Sequence, residues 1–328
     1  MVQGKRNPNL GWFLTLASSL FFGLNASTSK VLVHAGFTPN FIVGYRSTAT
    51  AALALILVLV VNPRALKLRL RELPMLVLFG VVGITLMQWT YTNAVSRLPV
   101  GISLLIEYTA SVVVPIVNWL IFRKRAGRGL WLGIAFTMGG VLIVSEFWHS
   151  TLNPVGLAFA VGAMLCVTFY FIISEHTQTT RDSYSTLFYT MAISAVFWWA
   201  LVHPSMADQP NLSAPLNLTG SLAGVTIPMW GGLLWLGVFG SFLPMLLNYL
   251  ALRHLSSNGV GLASISEVVF AFIFGAAWLG ETVSGIQGLG AVLVISGIVV
   301  AQLSSAKATR SANQAVLTPT DERSALEK

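Results

Sequence analysis

A chain of 328 residues that is 55% hydrophobic and only 9% charged is not an ordinary soluble domain, which carries about 25% charge. It is an integral membrane protein. Its formal net charge of +8 does not mark a nucleic-acid partner, because the basic residues are sorted along the chain rather than gathered on one surface.

Apolar runs of about 20 residues cross a bilayer core as helices, each residue rising ~1.5 Å. Ten such runs occur, at 11–34, 39–61, 74–95, 101–122, 128–146, 154–175, 184–203, 229–251, 259–280 and 286–304. The absence of a period-two pattern argues against a β-barrel. The fold class predicted is therefore all-α, with ten transmembrane helices. Of the 19 Lys and Arg residues, all but Lys30, Arg46 and Arg97 fall in segments that ten spans place on one side. The positive-inside rule then predicts a multi-pass protein of the cell (plasma or inner) membrane with both termini cytoplasmic. The basic excess adds attraction to membrane lipid of anionic type.

Residues 1–10 form a short cytoplasmic N-terminus. The pair Lys5-Arg6 imitates the start of a secretory signal, but the apolar stretch after it is too long for one, so the first run is a retained helix. It carries a polar stripe of Ser18, Asn25 and Ser29, and then Lys30. The second run carries Arg46. The third carries Thr85, Gln88, Tyr91 and Thr92, and the fourth carries Ser103, Glu107, Ser111, Pro115 and Asn118, each set recurring at the three- or four-residue spacing of one helix face. The eighth carries Ser241, Pro244 and Asn248, and the ninth Glu267. These stripes predict a polar pocket rimmed by Trp89, Tyr170 and Tyr189. Small residues four apart, at Gly133 and Thr137, Ala135 and Gly139, Ala271 and Gly275, and Gly297 and Ala301, predict close helix packing. They also leave a homodimer face on the fifth and tenth helices open. The lone Cys166 excludes an internal disulfide. The polar tail, 305–328, reads as disordered.

The runs form two sets of five, 11–146 and 153–304. VGISLLIEY (100–108) is echoed by VGLASISEV (260–268), so Glu107 and Glu267 occupy the same local frame. An odd number of helices per copy turns the second copy upside down. Two inverted five-helix repeats about a midplane site are the signature of secondary transporters. A charge at the bilayer centre costs ~2.5–3.5 kcal/mol on insertion scales, so it faces a cavity or a partner. Glu107 and Glu267 are thus read either as flanking a central cavity or as structural ion pairs with Arg46 or Lys30. Arg46 has no cationic counterpart in the second copy, where Met191 stands, and so suits a substrate carboxylate. Glu146, Glu175 and Glu281 sit at helix ends, where capping or bridging is expected.

With these residues in view, the chain resembles the EamA transporters of the drug/metabolite transporter superfamily over residues 10–304. Phe22, Gly23, Asn25 and Lys30 follow the family's first-helix pattern with its Trp replaced. Arg46 matches an arginine common in its second helix. Glu267, Leu279, Gly280 and Glu281 match the ninth, with Val268 where the family has Pro. The fourth helix is similar to the threonine/homoserine exporter branch in Pro99, Gly101, Ile102, Ile106, Glu107 and Tyr108, with Ser111 in place of its Pro. The resemblance implies a ten-helix basket with a central cavity and export of amino acids or related metabolites.

The functional expectation is a secondary active transporter for a small-molecule substrate, an amino acid or related zwitterion, working by alternating access. Glu107 would bind the substrate ammonium or a coupling proton, Arg46 the carboxylate, and Asn25, Gln88, Tyr91, Ser103 and Asn248 would line the site. Glu267, Glu107 and Pro115 would serve coupling and gating. The alternative is a broad exporter of lipophilic cationic or aromatic compounds. No phosphate-binding loop and no H-E-x-x-H occurs, and Asp182, Asp208 and Asp321 lie outside the runs. No enzyme activity, cofactor or metal is therefore expected.

Overall fold

Apolar surroundings offer the backbone no hydrogen-bond partners, so these stretches satisfy their own N–H and C=O groups as helices. The computed structural model describes residues 7–122, 128–144, 152–177, 183–203, 209–251, 254–255, 260 and 263–317. Among them the helical segments in chain order are a first (Pro8–His34), a second (Pro39–Val61), and a third built of Leu73–Leu78, Phe79–Leu86 and Met87–Val95. A fourth is built of Val100–Tyr108 and Ala110–Phe122, followed by a fifth (Arg128–Val144), a sixth (Pro154–Thr177) and a seventh (Ser183–Val196, then Phe197–Val202). The eighth comprises Met229–Gly237, Val238–Phe242 and Leu243–Ala251, the ninth Ser266–Ala277 and the tenth Gly285–Leu317. By length and composition four stretches are apolar enough to cross a membrane: Pro8–His34, Pro39–Val61, Leu70–Val95 and Met229–Ala251. Among the described residues the other apolar stretches, such as Arg128–Val144, Pro154–Tyr170 and Gly285–Ala301, are shorter.

Helix starts follow from local sequence. Pro8 and Pro39 occupy first-turn positions that need no N–H. Asn7 Oδ1 accepts from Leu10 N at 3.3 Å and Thr38 Oγ1 from Phe41 N at 3.2 Å. The tenth helix continues through Leu317. Residues 305–317 are thus helical, contrary to the disordered tail expected; once a long helix is nucleated, each added residue costs little.

Three pairs of corresponding helices of the two halves meet directly, the fifth with the tenth, the second with the seventh and the fourth with the ninth, and each of these pairs runs antiparallel. A Cβ on Gly133 would sit 2.7 Å from the Gly297 carbonyl, and one on Gly140 2.7 Å from that of Gly290; the reverse contacts are 2.7 and 2.9 Å. The fifth helix therefore meets the tenth in opposite sense, backbone against backbone. Ser47 bonds Ser194 at 2.8 Å while Gly44 lies against Trp198, which orients the second against the seventh. Gly101 lies against Phe272 while Tyr108 bonds Glu267, which orients the fourth against the ninth. The first helix packs on the eighth and ninth as the sixth packs on the third and fourth. Gly133, Thr137, Gly297 and Ala301 line the tight contact, whereas Ala135 is exposed and takes no part.

One end of the molecule is tied by a polar cluster. Lys30 Nζ pairs with Glu281 Oε1 at 2.6 Å and donates to the Leu98 carbonyl at 2.9 Å, while Glu281 Oε2 accepts from Val100 N at 2.9 Å. The first, fourth and ninth helices are thereby joined, and Glu281 bridges as its position at a helix end suggested. A two-stranded hairpin, β1 (Pro215–Asn217) and β2 (Thr226–Pro228), covers the same end. Its Leu216 is buried against Leu32 and Gly232, and Ser221 donates to the carbonyls of Ala277 and Trp278.

Gly297→Val drives a side chain into the Thr137 and Gly133 backbone and should cost about 1–3 kcal/mol, read as a lower melting temperature in detergent. Gly139→Ala, whose Cβ meets nothing closer than 3.9 Å, should leave that temperature unchanged. Lys30→Met strands the Glu281 carboxylate and should cost about 1–3 kcal/mol. Adding Glu281→Gln should recover more than half of the loss, and a double variant no better than the single one would argue against the pairing.

Candidate functional site

The fourth and ninth helices are both interrupted at one level. The fourth breaks at Thr109, whose hydroxyl donates to the Ile106 carbonyl at 2.7 Å, and the ninth turns at Ile265 just before Ser266–Ala277. The ninth breaks without a proline at 268; the turn is closed instead by Ser266 Oγ on the Ala263 carbonyl, at 2.7 Å. Glu107 closes the first half of the fourth helix and Glu267 opens the main span of the ninth, and both are buried. Broken helices expose backbone ends only where protein or a cavity receives them.

Arg46 enters the same interior from the second helix and is 3% exposed. Its Nε donates to Ser241 Oγ at 2.7 Å. Asn25, with its amide oriented to satisfy both ends, accepts from Arg46 Nη2 at 3.3 Å and donates to the Gly240 carbonyl at 3.2 Å. Gly240 lies four residues before Pro244, which has no N–H to offer it in a regular helix. Ser18 Oγ donates to the Pro244 carbonyl at 2.7 Å. The polar stripes of the first and eighth helices thus meet and hold the guanidinium. Arg46 Nη1 has no partner.

Lys30 pairs with Glu281, and among the described residues no ion pair joins Glu107 or Glu267 to Arg46 or Lys30. The structural-pair reading is thereby replaced. The charges of Arg46, Glu107 and Glu267 nevertheless act on one another through space, together with Tyr91. Glu267 accepts from Tyr108 Oη at 2.6 Å. Glu107 Oε2, Tyr91 Oη and Gln88 Oε1 are buried without partners, and Gln88 Nε2 lies 3.8 Å from Met191 Sδ. One face of the third helix, one acid and one cation therefore present unused hydrogen-bonding atoms inside the protein.

The other expected members fall elsewhere. Ser103 is buried one turn from Glu107, with its hydroxyl on the Pro99 carbonyl of its own helix. Asn248 is partly exposed, and no bond among the described residues ties it to Arg46 or either glutamate. The side chains of Ser111, Pro115, Asn118 and Glu175, and the whole of Glu146, lie outside the described residues. The aromatic rim is not formed as expected. Trp89 donates to Asn40 Oδ1 at 2.8 Å, Tyr189 donates to the Leu66 carbonyl at 2.6 Å, and Tyr170 stacks on Phe79. The contact of Tyr108 with Glu267, beside the site, was not expected from the sequence; its adjacency to Glu107 was the available signal. A surface hollow of 410 Å³ lined by Arg97, Asn153 and Gln287 contains none of the unpartnered groups.

Comparison with known proteins places this geometry in context. The uncharacterized transporter YwfM of Bacillus subtilis is 21% identical over 228 residues, covering 69% of this chain and 72% of that protein. The threonine/homoserine exporter RhtA of Salmonella typhimurium is 23% identical over 238 residues, covering 72% of each. A crystal structure that is 15% identical shares the fold, with a TM-score of 0.58 over 89% of this chain and 96% of that one. The profile of the EamA-like transporter family matches residues 9–146 and again 154–303. Two copies of one transporter unit thus fill the chain, which belongs to the EamA-like transporter family.

Proposed function

We propose that this transporter is a secondary exporter of a small zwitterionic metabolite, an amino acid or close relative, working by alternating access with a proton as coupling ion. The carrying observation is a buried cation and a buried acid, Arg46 and Glu107, each with an unused hydrogen-bonding atom and no ion pair between them. A molecule bearing both a carboxylate and an ammonium would satisfy both at once. A carboxylate would take the Arg46 Nη1 donor, with the Tyr91 hydroxyl as second donor. An ammonium would take Glu107 Oε2 and Gln88 Oε1. Neither end could then leave without stranding a charge, which favours zwitterions over lipophilic cations.

The antiparallel pairing of corresponding helices supports two inverted halves, with all ten helical segments crossing the cell membrane and both termini in the cytoplasm. Rocking of one half against the other would expose the cluster to each side in turn. The name of the RhtA relative, a threonine/homoserine exporter, supports an amino-acid cargo and outward flux. Glu267 is the proton site in this reading, and Asn25 holds Arg46 in place.

The test is counterflow in proteoliposomes loaded with an equimolar amino-acid pool and read by mass spectrometry. Selective exchange of one or a few species is expected. Glu107→Gln should lower it by about 30- to 5000-fold, the effect of removing one partner of a buried charge contact, as should Arg46→Met. Exchange that survives both substitutions places the site elsewhere, and exchange of lipophilic cations alone sinks the zwitterion reading.

A further inference from the structure

The repeat that gives the chain two glutamates does not give them equal surroundings. In the paired stretches VGISLLIEY and VGLASISEV, the residue after Glu107 is Tyr108 and the residue after Glu267 is Val268. The tyrosine hydroxyl crosses between the broken helices and donates to Glu267 Oε2 at 2.6 Å. Val268 is fully buried and has no polar atom to return to Glu107, whose Oε2 stays unpartnered. One acid is clamped and the other is free, by a single side-chain difference between the copies.

We infer that Tyr108 is the positioning residue that couples proton binding at Glu267 to movement of the fourth helix, and hence of Glu107. The inference rests on the proton-coupled transport proposed above. When Glu267 is a carboxylate, its bond from Tyr108 is charge-assisted and short, about twice as strong as a neutral one. A proton taken from the medium onto a Glu267 oxygen removes that charge and turns the group from pure acceptor into donor. The tie between the halves weakens at the breaks, next to the residue that would hold the substrate. No other bond is made or broken.

The charged and titratable groups facing Glu267 come from several elements: Arg46 on the second helix, the neutral Tyr91 on the third, and Glu107 and the neutral, hydrogen-bonded Tyr108 on the fourth. The first helix, also packed on the ninth, places Gly23 against Phe270 and Ala271, and its Lys30 is engaged with Glu281. Elsewhere the described contacts of the fourth and ninth helices include Gly101 on Phe272, which is apolar and blind to protons.

The experiment uses the full chain in proteoliposomes and two readouts on the same amino-acid pool: counterflow at equal pH, and accumulation driven by a pH difference. Tyr108→Phe keeps the ring and removes the hydroxyl. Counterflow should stay within a factor of about three of wild type, while pH-driven accumulation falls about 10- to 100-fold, the loss of one hydrogen bond to a charged group. Glu267→Gln should lower pH-driven accumulation by at least as much, and adding Tyr108→Phe to it should lower accumulation little further. Accumulation unchanged in Tyr108→Phe overturns the inference and leaves the transporter reading standing. Loss of both readouts, or failure to fold, makes Tyr108 a substrate or structural contact and overturns it as well. Counterflow without any pH-driven accumulation in wild type overturns the proton-coupled reading, and the inference with it.

Discussion

A charge carried from water into an apolar interior costs several kcal/mol unless other polar groups replace its hydration, and each charge in this protein meets that cost differently. Lys30 and Glu281 meet it by pairing, aided by a carbonyl and a backbone N–H at the start of the fourth helix. That solution is closed: both groups are spent on structure. Arg46 is held by neutral partners only, Ser241 and Asn25, which orient the guanidinium without neutralising it. Glu107 is left with an unpartnered oxygen. An interior that could have paired Arg46 with Glu107, and did not, keeps its binding capacity for something else.

The backbone obeys the same rule and helps to build the site. Apolar surroundings provide little hydrophobic drive between helices, so association relies on close approach and on polar contacts between helices. The glycines of the fifth and tenth helices supply the first, bringing carbonyls within 2.9 Å of where side chains would be. The irregular turns supply the second. Pro244 withholds an N–H from Gly240, and Asn25 takes up that carbonyl while holding Arg46. The π-helical stretches Phe79–Leu86 and Val238–Phe242 lie in corresponding helices of the two halves. The first leads directly into Gln88 and Tyr91, and the second contains Ser241. Departures from the α-helix thus sit where side chains must be re-aimed, as is common at functional sites.

These features were unequally legible in the sequence. Long apolar runs announce helices unambiguously, and the repeated glutamate frame announces the related pair, because both signals depend on composition over many residues. Which way a residue faces is carried only by spacing, and spacing identifies a face without naming what lies opposite. Asn25, Arg46, Gln88 and Tyr91 were found because they interrupt apolar stretches. Trp89 was misplaced because its neighbours Gln88 and Tyr91 lie one turn apart on one face while it points round the helix to Asn40. Tyr189 failed similarly, its hydroxyl reaching the Leu66 carbonyl. Residues 305–317 looked disordered by polarity, yet they extend a helix already nucleated. The Tyr108–Glu267 bond joins positions 159 apart, a distance no local pattern spans.

The same pair shows why a two-fold scaffold suits directional work only when it is imperfect. Perfectly related halves present equal surfaces to both sides, and their two end states would be equal in energy. Among the many positions at which the two copies differ, two at the site bear directly on its charges. Arg46 corresponds to Met191, and Tyr108 corresponds to Val268. The first substitution makes one half cationic and lets the thioether of the other rest against Gln88. The second ties one acid and frees its twin. Since a ligand shifts a two-state equilibrium only by its differential affinity for the states, these two differences are where such a bias can arise. Repetition provides the axis about which the halves exchange places, and the unmatched residues determine what each exchange carries.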